Sequence, residues 1–269
     1  MRNAERYRET KYVWSAGRLR ASRDPRYVSV ASRVLVDELA ARYEKYLPLH
    51  CRGKLVDLGC GSVPLYTAYR SYVTDVTCVD WPSSLHPADF VDQECDLSSV
   101  LPFGSSQFDT ILLSDVLEHV AAPEHLWGEM ARISKPGAML LWNVPFLYWL
   151  HEEPHDYFRY TEFALRSFAE RAGFEVLVLE PVGGLVEALA DMTSKALLGV
   201  PSVGETMASG LQGLAGAWAR TAWGRHVAAL SGRKFPLAYF GVARRRASPR
   251  DVSDARPRTS SPDRQGERT

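Results

Sequence analysis

The chain has 269 residues, 46% of them hydrophobic and 24% charged, and its formal net charge is zero. A chain of this length and composition can fold as one large globular domain or slightly more. Basic residues outnumber acids by five in residues 1–26 and by four in residues 244–269, so the middle of the chain is acidic. This distribution argues against general nucleic-acid binding, and no run reaches the ~18 apolar residues of a membrane span.

The N-terminal segment, residues 1–27, is rich in Arg and Tyr and contains no apolar core of the kind that a signal peptide needs. We interpret it as an arm that lies over the domain. The four cysteines, Cys51, Cys60, Cys78 and Cys95, form no C-x-x-C pair and lie in or beside apolar stretches. We therefore expect reduced thiols and a cytoplasmic protein.

Strand-like and helix-like patterns alternate along the middle of the chain. Apolar residues at helical spacing predict a helix over residues 28–47 that ends before Pro48. Strands are predicted at 54–58, 75–80, 108–114, 138–144, 174–181 and 236–243, and helices at 65–72, 115–120, 123–134 and 161–172. This alternation is typical of an α/β fold with a doubly wound, mainly parallel sheet.

Residues 183–235 break the alternation and predict a helical insertion before the last strand. Its apolar faces favour a lid or a packing layer, and they are also compatible with peripheral membrane contact or with a homodimer. Ser, Pro, Arg and Asp dominate residues 247–269, which predicts a disordered tail and leaves residues 28–246 as the main domain.

Polar motifs follow the predicted strands in order. The first strand runs into Asp57, Gly59 and Gly61, and such a glycine turn lets the backbone approach a ligand closely. Asp80 ends the next strand 19 positions after Gly61, near the ~20 expected for a carboxylate that accepts ribose hydroxyls. The remaining motifs are Cys95-Asp96-Leu97, Phe108 to Val120 (FDTILLSDVLEHV) and Lys135-Pro136-Gly137.

Together these motifs resemble those of class I S-adenosylmethionine-dependent methyltransferases of the broad type 11 group. The resemblance covers about residues 53–180 and depends on five motifs in the right order. Residues 154–161, PHDYFRYT, are similar to a segment of one bacterial subgroup. The resemblance implies a Rossmann-like, seven-stranded sheet, S-adenosyl-L-methionine as the cofactor, and methyl transfer as the activity.

One departure from the family pattern concerns the first loop, where Ser62-Val63-Pro64 stands in place of a third glycine. In dinucleotide sites this glycine allows close packing of the following helix. Its absence disfavours the alternative of an NAD oxidoreductase. A non-catalytic cofactor-binding scaffold protein is a further alternative, which the intact Asp57 and Asp80 argue against.

The resemblance also implies which residues bind the cofactor. Gly59 and Gly61 would pass close to its methionine part, and Asp57 would help to hold that end. Asp80 would accept both ribose hydroxyls.

The other cofactor contacts implied by the resemblance come from later motifs. Asp96 would meet the adenine amino group, and Leu97 would lie against the ring. Ser114 and Asp115 would line the site near the sulfonium. His119 lies four residues after Asp115, so a helical turn would place both on one side, and we expect His119 either to contact substrate or to hold the helix on the sheet.

The stretch from His151 to His155 reads H-E-x-x-H, the pattern of zinc proteases. That motif binds zinc only on a helix, where residues four apart share a face. Pro154 would disrupt such a helix, so we expect no metal here. The alternative is a loop over the cofactor's methyl group.

That loop is dense in groups able to bind or deprotonate a methyl acceptor. Since a histidine has a pKa near neutrality, His155 or His151 is the expected base for a hydroxyl acceptor. The expected substrate contacts are His119, Asp156, Tyr157, Arg159 and Tyr160. An Asp156–Arg159 pair that only stabilises the loop is an alternative.

Taken together, the sequence predicts a methyltransferase acting on a small-molecule or glycan/lipid-linked acceptor, with oxygen as the favoured atom. N- or C-methylation on the same scaffold is the alternative. The insertion at 183–235 would close the acceptor pocket, and its apolar faces favour an acceptor with an apolar part.

Overall fold

A seven-stranded sheet forms the centre of the protein, whose computed structural model describes residues 1–83 and 88–247. A separate N-terminal ribbon consists of β1 (Tyr12–Ser15) and β2 (Arg18–Ala21). The central strands are β3 (Lys54–Leu58), β4 (Asp75–Asp80), β5 (Gln93–Glu94), β6 (Phe108–Ser114), β7 (Ser134–Pro145), β8 (Phe174–Val182) and β9 (Ala238–Arg245). Their spatial order is β5-β4-β3-β6-β7-β9-β8, and only the pairings of β9 are antiparallel.

The predicted fold class is confirmed by this doubly wound, mainly parallel sheet. The middle strands are covered on both faces, which explains their short, continuously apolar sequences. In β3 every residue from Leu55 to Leu58 is buried, and in β6 the run from Thr110 to Leu113 is fully buried. Because β3 pairs in parallel with both β4 and β6, the carboxyl ends of these three strands meet at one edge of the sheet. Folds of this class bind ligands at that edge.

Helices cover both faces of the sheet. They are α1 (Arg33–His50), α2 (Tyr66–Tyr69), α3 (Pro123–Ile133), α4 (Glu162–Arg171), α5 (Leu185–Leu197), α6 (Gly204–Ala219) and α7 (Ala222–Ser231). Short 3-10 turns occur at Ala4–Arg6, Val30–Ser32, Ala88–Phe90 and Leu117–His119.

Three helix predictions are wrong in detail, and one of them is the helix expected at 65–72, which is only the single turn Tyr66–Tyr69. The first helix continues through Pro48 to His50, because its last turn is closed by the N–H of Cys51, which donates to Leu47 O at 2.9 Å. The helix expected at 115–120 is only a 3-10 turn, Leu117–His119. Asp115 has φ +53°, a left-handed conformation that an α-helix cannot contain.

The N-terminal segment is an ordered arm that packs on α1. Glu44 of that helix accepts hydrogen bonds from the Arg18 side chain at 2.7 Å and from the Leu19 N–H at 3.2 Å. Tyr12 is fully buried, with its ring edge-on to Tyr43. The arm thereby becomes one wall of the cavity described below.

The insertion forms α5, α6 and α7, as predicted. It packs on the beginning of α1 and on the 3-10 turn Val30–Ser32, where the buried Gln212 accepts from the Val34 N–H and donates to Ala31 O, both at 2.9 Å. Among the described residues, no helix combines the length and the apolar character needed to cross a bilayer. The tail expected at 247–269 lies outside the described residues except for Ala247.

Candidate functional site

A cavity of about 1270 Å³ opens at the carboxyl ends of the parallel strands. Binding sites for drug-sized molecules span ~300–1,000 Å³, so this cavity has room for two ligands side by side. All eight residues expected to bind the cofactor line it: Asp57, Gly59, Gly61, Asp80, Asp96, Leu97, Ser114 and Asp115.

The first loop turns sharply after β3 and is tied to β4. The N–H groups of Gly59 and Cys60 both donate to Val79 O, at 2.8 and 2.9 Å. Gly59 has φ +69°, and a Cβ there would lie 2.5 Å from the Val116 side chain. The turn therefore requires glycine at this position for its backbone conformation and for its close approach to the segment after β6.

Asp80 stands at the end of β4 and faces the same loop. One of its carboxylate oxygens accepts from the Gly61 N–H at 3.0 Å, and the other accepts from its neighbour's N–H, that of Trp81, at 2.9 Å. These bonds hold the carboxylate in one orientation at the cavity wall. A carboxylate fixed in this way is pre-organised to accept hydroxyl hydrogen bonds from a ligand.

Asp57 lies deeper, and the structure shows that it differs electrostatically from Asp80. It is fully enclosed, and the Tyr69 hydroxyl donates to it at 3.2 Å. Burial raises the pKa of Asp57 to about 7, opposed by the Tyr69 hydrogen bond and assisted by the charge of Asp80. Asp57 therefore lies close to its titration point near neutral pH.

The third acidic motif extends the cavity past β4. Cys95 N–H donates to Asp80 O at 2.9 Å, which places the following residues beside the second strand end. Leu97 is buried, whereas Asp96 is exposed and accepts from the Ser98 N–H at 2.8 Å. An exposed carboxylate beside a buried apolar side chain suits a flat, polar-edged ring.

A hydrogen-bonded network joins the end of β6 to the N-terminal arm. Asn143 donates to Asp115 and accepts from the hydroxyls of Ser114 and Tyr43. Lys11 donates to the other oxygen of Asp115 at 2.6 Å. The left-handed backbone of Asp115 is held in place by this network, and such local strain is concentrated at functional sites.

Lys11 and Asn143 were missed by the sequence analysis. Asn143 is a polar residue at the end of a predicted strand, so the rule that singled out Asp80 could have found it. Lys11 carried no comparable signal, because its position depends on how the arm folds back over the sheet.

The 3-10 turn after β6 brings Glu118 and His119 to the cavity wall. Glu118 is completely buried, and neither carboxylate oxygen has a hydrogen-bond partner among the described residues. Burial and the charge of Asp115 raise the pKa of Glu118 well above its ordinary value. His119 Nδ1 lies 2.9 Å from the carbonyl oxygen of His155, so this nitrogen carries the proton and donates.

The segment 151–160 is a loop, as predicted, and it does not form the helix that an H-E-x-x-H zinc site requires. It is fixed to the 3-10 turn because the N–H groups of Tyr157 and Phe158 donate to Glu118 O at 2.9 and 3.2 Å. His151, His155 and Tyr157 line the cavity. His155 lies edge-on to Trp81 and within 3.1 Å of the Tyr157 hydroxyl.

Three of the residues expected to contact substrate do not line the cavity: Asp156, Arg159 and Tyr160. Arg159 donates to both oxygens of Asp156, at 2.5 and 2.7 Å. Burial opposes ionisation of Asp156, but these bonds outweigh it and lower its pKa to about 2. Tyr160 is buried and donates to Leu117 O at 3.1 Å. The arrangement supports the alternative in which these residues stabilise the loop.

The helical insertion also supports the cavity from behind. No described residue of α5, α6 or α7 lines the cavity, contrary to the expectation that the insertion closes the acceptor pocket. Its buried Lys195 pairs with Asp191 and lies 3.6 Å from the centre of the Tyr148 ring. Tyr148 is a cavity residue, so the insertion contacts the outer side of the wall.

Comparisons with known proteins were made by sequence and by structure, and the sequence comparison gives one match. Residues 56–142 match the sequence profile of a family described as a methyltransferase domain. No curated protein matches the chain by sequence.

Solved structures give a further comparison, at the level of the fold. The cyclase SpnF is 19% identical with a TM-score of 0.51, over 79% of this chain and 83% of that one. A provisionally assigned methyltransferase bound to the Haloferax volcanii Trm112 methyltransferase activator is 18% identical with a TM-score of 0.50, over 78% and 90%. A provisionally assigned sarcosine dimethylglycine methyltransferase from Galdieria sulphuraria is 15% identical with a TM-score of 0.50, over 79% and 88%.

These identities are low, so the structural likeness establishes the fold and leaves the reaction to be argued from the site. The family match covers the first loop, Asp80, Asp96 and the segment after β6, which line the cavity at the strand ends. Residues 56–142 are thus similar to a methyltransferase domain, and the chain has a Rossmann-like fold of the kind seen in class I methyltransferases.

Proposed function

We propose that this protein transfers a methyl group from S-adenosyl-L-methionine to an oxygen atom of a small-molecule or glycan/lipid-linked acceptor. The observation that carries the proposal is the continuity of the cavity. The residues expected to bind the cofactor line the same space as the loop with His151, His155 and Tyr157. One space for two ligands is what a transfer between them requires.

The residues on the cofactor side fit S-adenosyl-L-methionine. Asp80 offers a carboxylate held by two backbone N–H groups, which suits the hydroxyls of a ribose. Asp96 and Leu97 offer a polar edge and an apolar surface for the adenine ring. When bound, this cofactor supplies an electrophilic methyl group, so the protein's task is mainly to align the acceptor and to take up its proton.

We assign the proton acceptor to His155. It lines the cavity, and among the described residues its ring is within ion-pair distance of no carboxylate. His151 is the weaker candidate, since its ring is already surrounded by Asp156, Glu118 and His119. A neutral imidazole at His155 could accept the proton of an acceptor hydroxyl as its oxygen is methylated.

The surface of the insertion supports an acceptor that carries a lipid. Helices α5 and α6 expose apolar stripes at helical spacing, which include Leu189, Met192, Met207 and Leu214. The basic side chains exposed on and beside α7 are Arg220, Arg225, Arg233 and Lys234. Because apolar and basic groups together favour an anionic lipid surface, we propose peripheral membrane contact through this insertion and a cytoplasmic location.

The proposal is tested with methyl-labelled S-adenosyl-L-methionine. The purified protein is incubated with a cell extract separated into lipid and water-soluble fractions. We expect label to enter the lipid fraction as a methyl ether or ester, and we expect His155→Ala to reduce the transfer while leaving S-adenosylhomocysteine affinity unchanged.

Three other results of this experiment would each contradict a part of the proposal. Label in the water-soluble fraction alone excludes the lipid-linked acceptor. Label attached to nitrogen or carbon excludes O-methylation and supports the alternative reaction. Binding of S-adenosylhomocysteine without transfer to either fraction contradicts the enzymatic function and supports a cofactor-binding scaffold.

A further inference from the structure

Three side chains from two separate segments meet at the acceptor side of the cavity. Glu118 and His119 come from the 3-10 turn after β6, and His151 comes from the loop after β7. The Nε2 atoms of the two histidines lie 3.8 and 3.9 Å from the same oxygen, Glu118 Oε1. One ligand atom from each residue falls within 4.8 Å of the others.

These separations are too long for hydrogen bonds, but they are close to what a shared ion requires. Zinc–ligand distances of ~2.0–2.1 Å place the ligand atoms of a tetrahedral site ~3.3 Å apart. Small side-chain rotations would close the remaining gap, because His151 lies in a loop and is half-buried.

Each histidine is held by a neighbour, His119 through its ring and His151 through its backbone. His119 Nδ1 donates to the carbonyl of His155, so in the neutral ring Nε2 is the nitrogen with a lone pair for a metal, and it lies 3.8 Å from Glu118 Oε1 and 3.9 Å from Glu152 Oε2. The backbone N–H of His151 donates to Asp156 Oδ2 at 3.0 Å, Arg159 fixes that carboxylate, and His151 Nδ1 lies 3.2 Å from the same oxygen without a hydrogen bond. Outer partners of this kind, a backbone carbonyl and a carboxylate, orient metal-binding histidines in proteins.

Glu118 supplies the strongest indication. It is completely buried, both of its oxygens lack hydrogen-bond partners among the described residues, and its contacts there at ion-pair distance are His119 and His151. Ionising a carboxyl group this deeply buried is costly, and a metal ion at its oxygens would offset the cost.

We propose that Glu118, His119 Nε2 and His151 Nε2 bind a divalent transition-metal ion, with Zn²⁺ as the matching ion. Two imidazoles and one carboxylate form a ligand set that leaves a coordination position for substrate. Since all three residues line the cavity, that position faces the acceptor side. The ion would bind and orient an acceptor that presents an oxygen donor.

The proposed metal site differs from the zinc site that the H-E-x-x-H motif from His151 to His155 would form. A zinc-protease-like site would use both histidines of the motif. The structure instead pairs His151 with His119, which is 32 positions away in sequence, and uses only the backbone carbonyl of His155.

The test is a titration of metal-stripped, full-length protein with Zn²⁺ by calorimetry and with Co²⁺ by visible absorption. We expect one ion per chain and a Co²⁺ spectrum typical of nitrogen and oxygen ligands. Glu118→Gln and His151→Asn should abolish the site, and Asp156→Asn should weaken the affinity for Zn²⁺ by about 10–100-fold through the outer partner.

The controls are His155→Ala, which keeps the carbonyl that holds His119, and His125→Asn, which removes an exposed histidine on α3. Both should bind Zn²⁺ like the wild type. The proposal is overturned if the wild type binds no Zn²⁺, if Glu118→Gln and His151→Asn both bind like the wild type, or if His155→Ala alone abolishes the site. The metal site is tested separately from methyl transfer. Glu118→Gln should lose the Zn²⁺ site and should bind S-adenosylhomocysteine as tightly as the wild type.

Discussion

The two sides of the cavity are built differently. The cofactor side consists of strand ends, with Asp57, Asp80 and Ser114 each placed by a neighbouring strand of one sheet. The acceptor side is assembled from a 3-10 turn and a loop, held together by hydrogen bonds such as Tyr157 N–H to Glu118 O and His119 to His155 O. The N-terminal arm joins the two sides, because Lys11 donates to Asp115. The first depends on the sheet, and the second depends on contacts between segments that are far apart in sequence.

This difference explains which functional residues can be found from sequence. A residue at a strand end has a position that follows from the fold class. A residue on a loop or arm has a position that follows from tertiary contacts, which leave no periodic signal. We therefore expect substitutions at the strand ends to change stability or ligand affinity through burial, hydrogen bonding and backbone geometry.

The largest effect is expected at Asp57. Burial raises its folded pKa to about 7, while its unfolded pKa is ordinary, so the folded state loses stability as the pH rises from about 4 to about 7. Asp57→Asn removes this loss. Chemical unfolding at pH 5 and pH 8 should show the variant gaining roughly 2–3 kcal/mol relative to the wild type over that interval.

The matched control for Asp57 is Asp75→Asn, at the exposed start of the neighbouring strand. It should show no comparable change between the two pH values. An Asp57→Asn variant whose stability relative to the wild type does not change with pH would contradict the assigned burial of this carboxyl group.

The next effect is expected at Asp80. Asp80→Ala removes a carboxylate that faces the cavity, and a lost hydrogen bond to a charged group costs ~1.5–3 kcal/mol, or about 10–100-fold in affinity. Calorimetric titration with S-adenosylhomocysteine should show this loss. Asp75→Ala, on the same strand at the opposite end, should bind like the wild type, and equal affinities for all three proteins would refute the ribose role.

The last prediction compares two glycines, and the smallest effect is expected at Gly128. Gly59→Ala introduces a Cβ 2.5 Å from Val116 at φ +69°, so it should lower both the melting temperature and the S-adenosylhomocysteine affinity. Gly128→Ala, inside α3 with open space around it, should stabilise the protein by ~0.5–1 kcal/mol. Thermal unfolding of both variants checks the opposite signs, and a stabilised Gly59→Ala would show that the turn does not need glycine.

The sequence predicted the sheet, its mainly parallel pairing and the insertion, because these follow from apolar periodicity and from the order of motifs. It also named the eight cofactor-side residues that line the cavity. It did not predict the neighbours of Glu118, because a buried glutamate next to a histidine has no periodic signature. It placed Asp156, Arg159 and Tyr160 at the substrate, whereas their hydrogen bonds are within the loop and to the 3-10 turn.

The central claim is that the strand-end side of the cavity binds S-adenosyl-L-methionine. The most direct measurement is calorimetric titration of the wild-type protein with S-adenosylhomocysteine and with NAD, side by side. The account predicts one S-adenosylhomocysteine per chain and much weaker or no binding of NAD. Tighter binding of NAD, or no binding of S-adenosylhomocysteine, would contradict it.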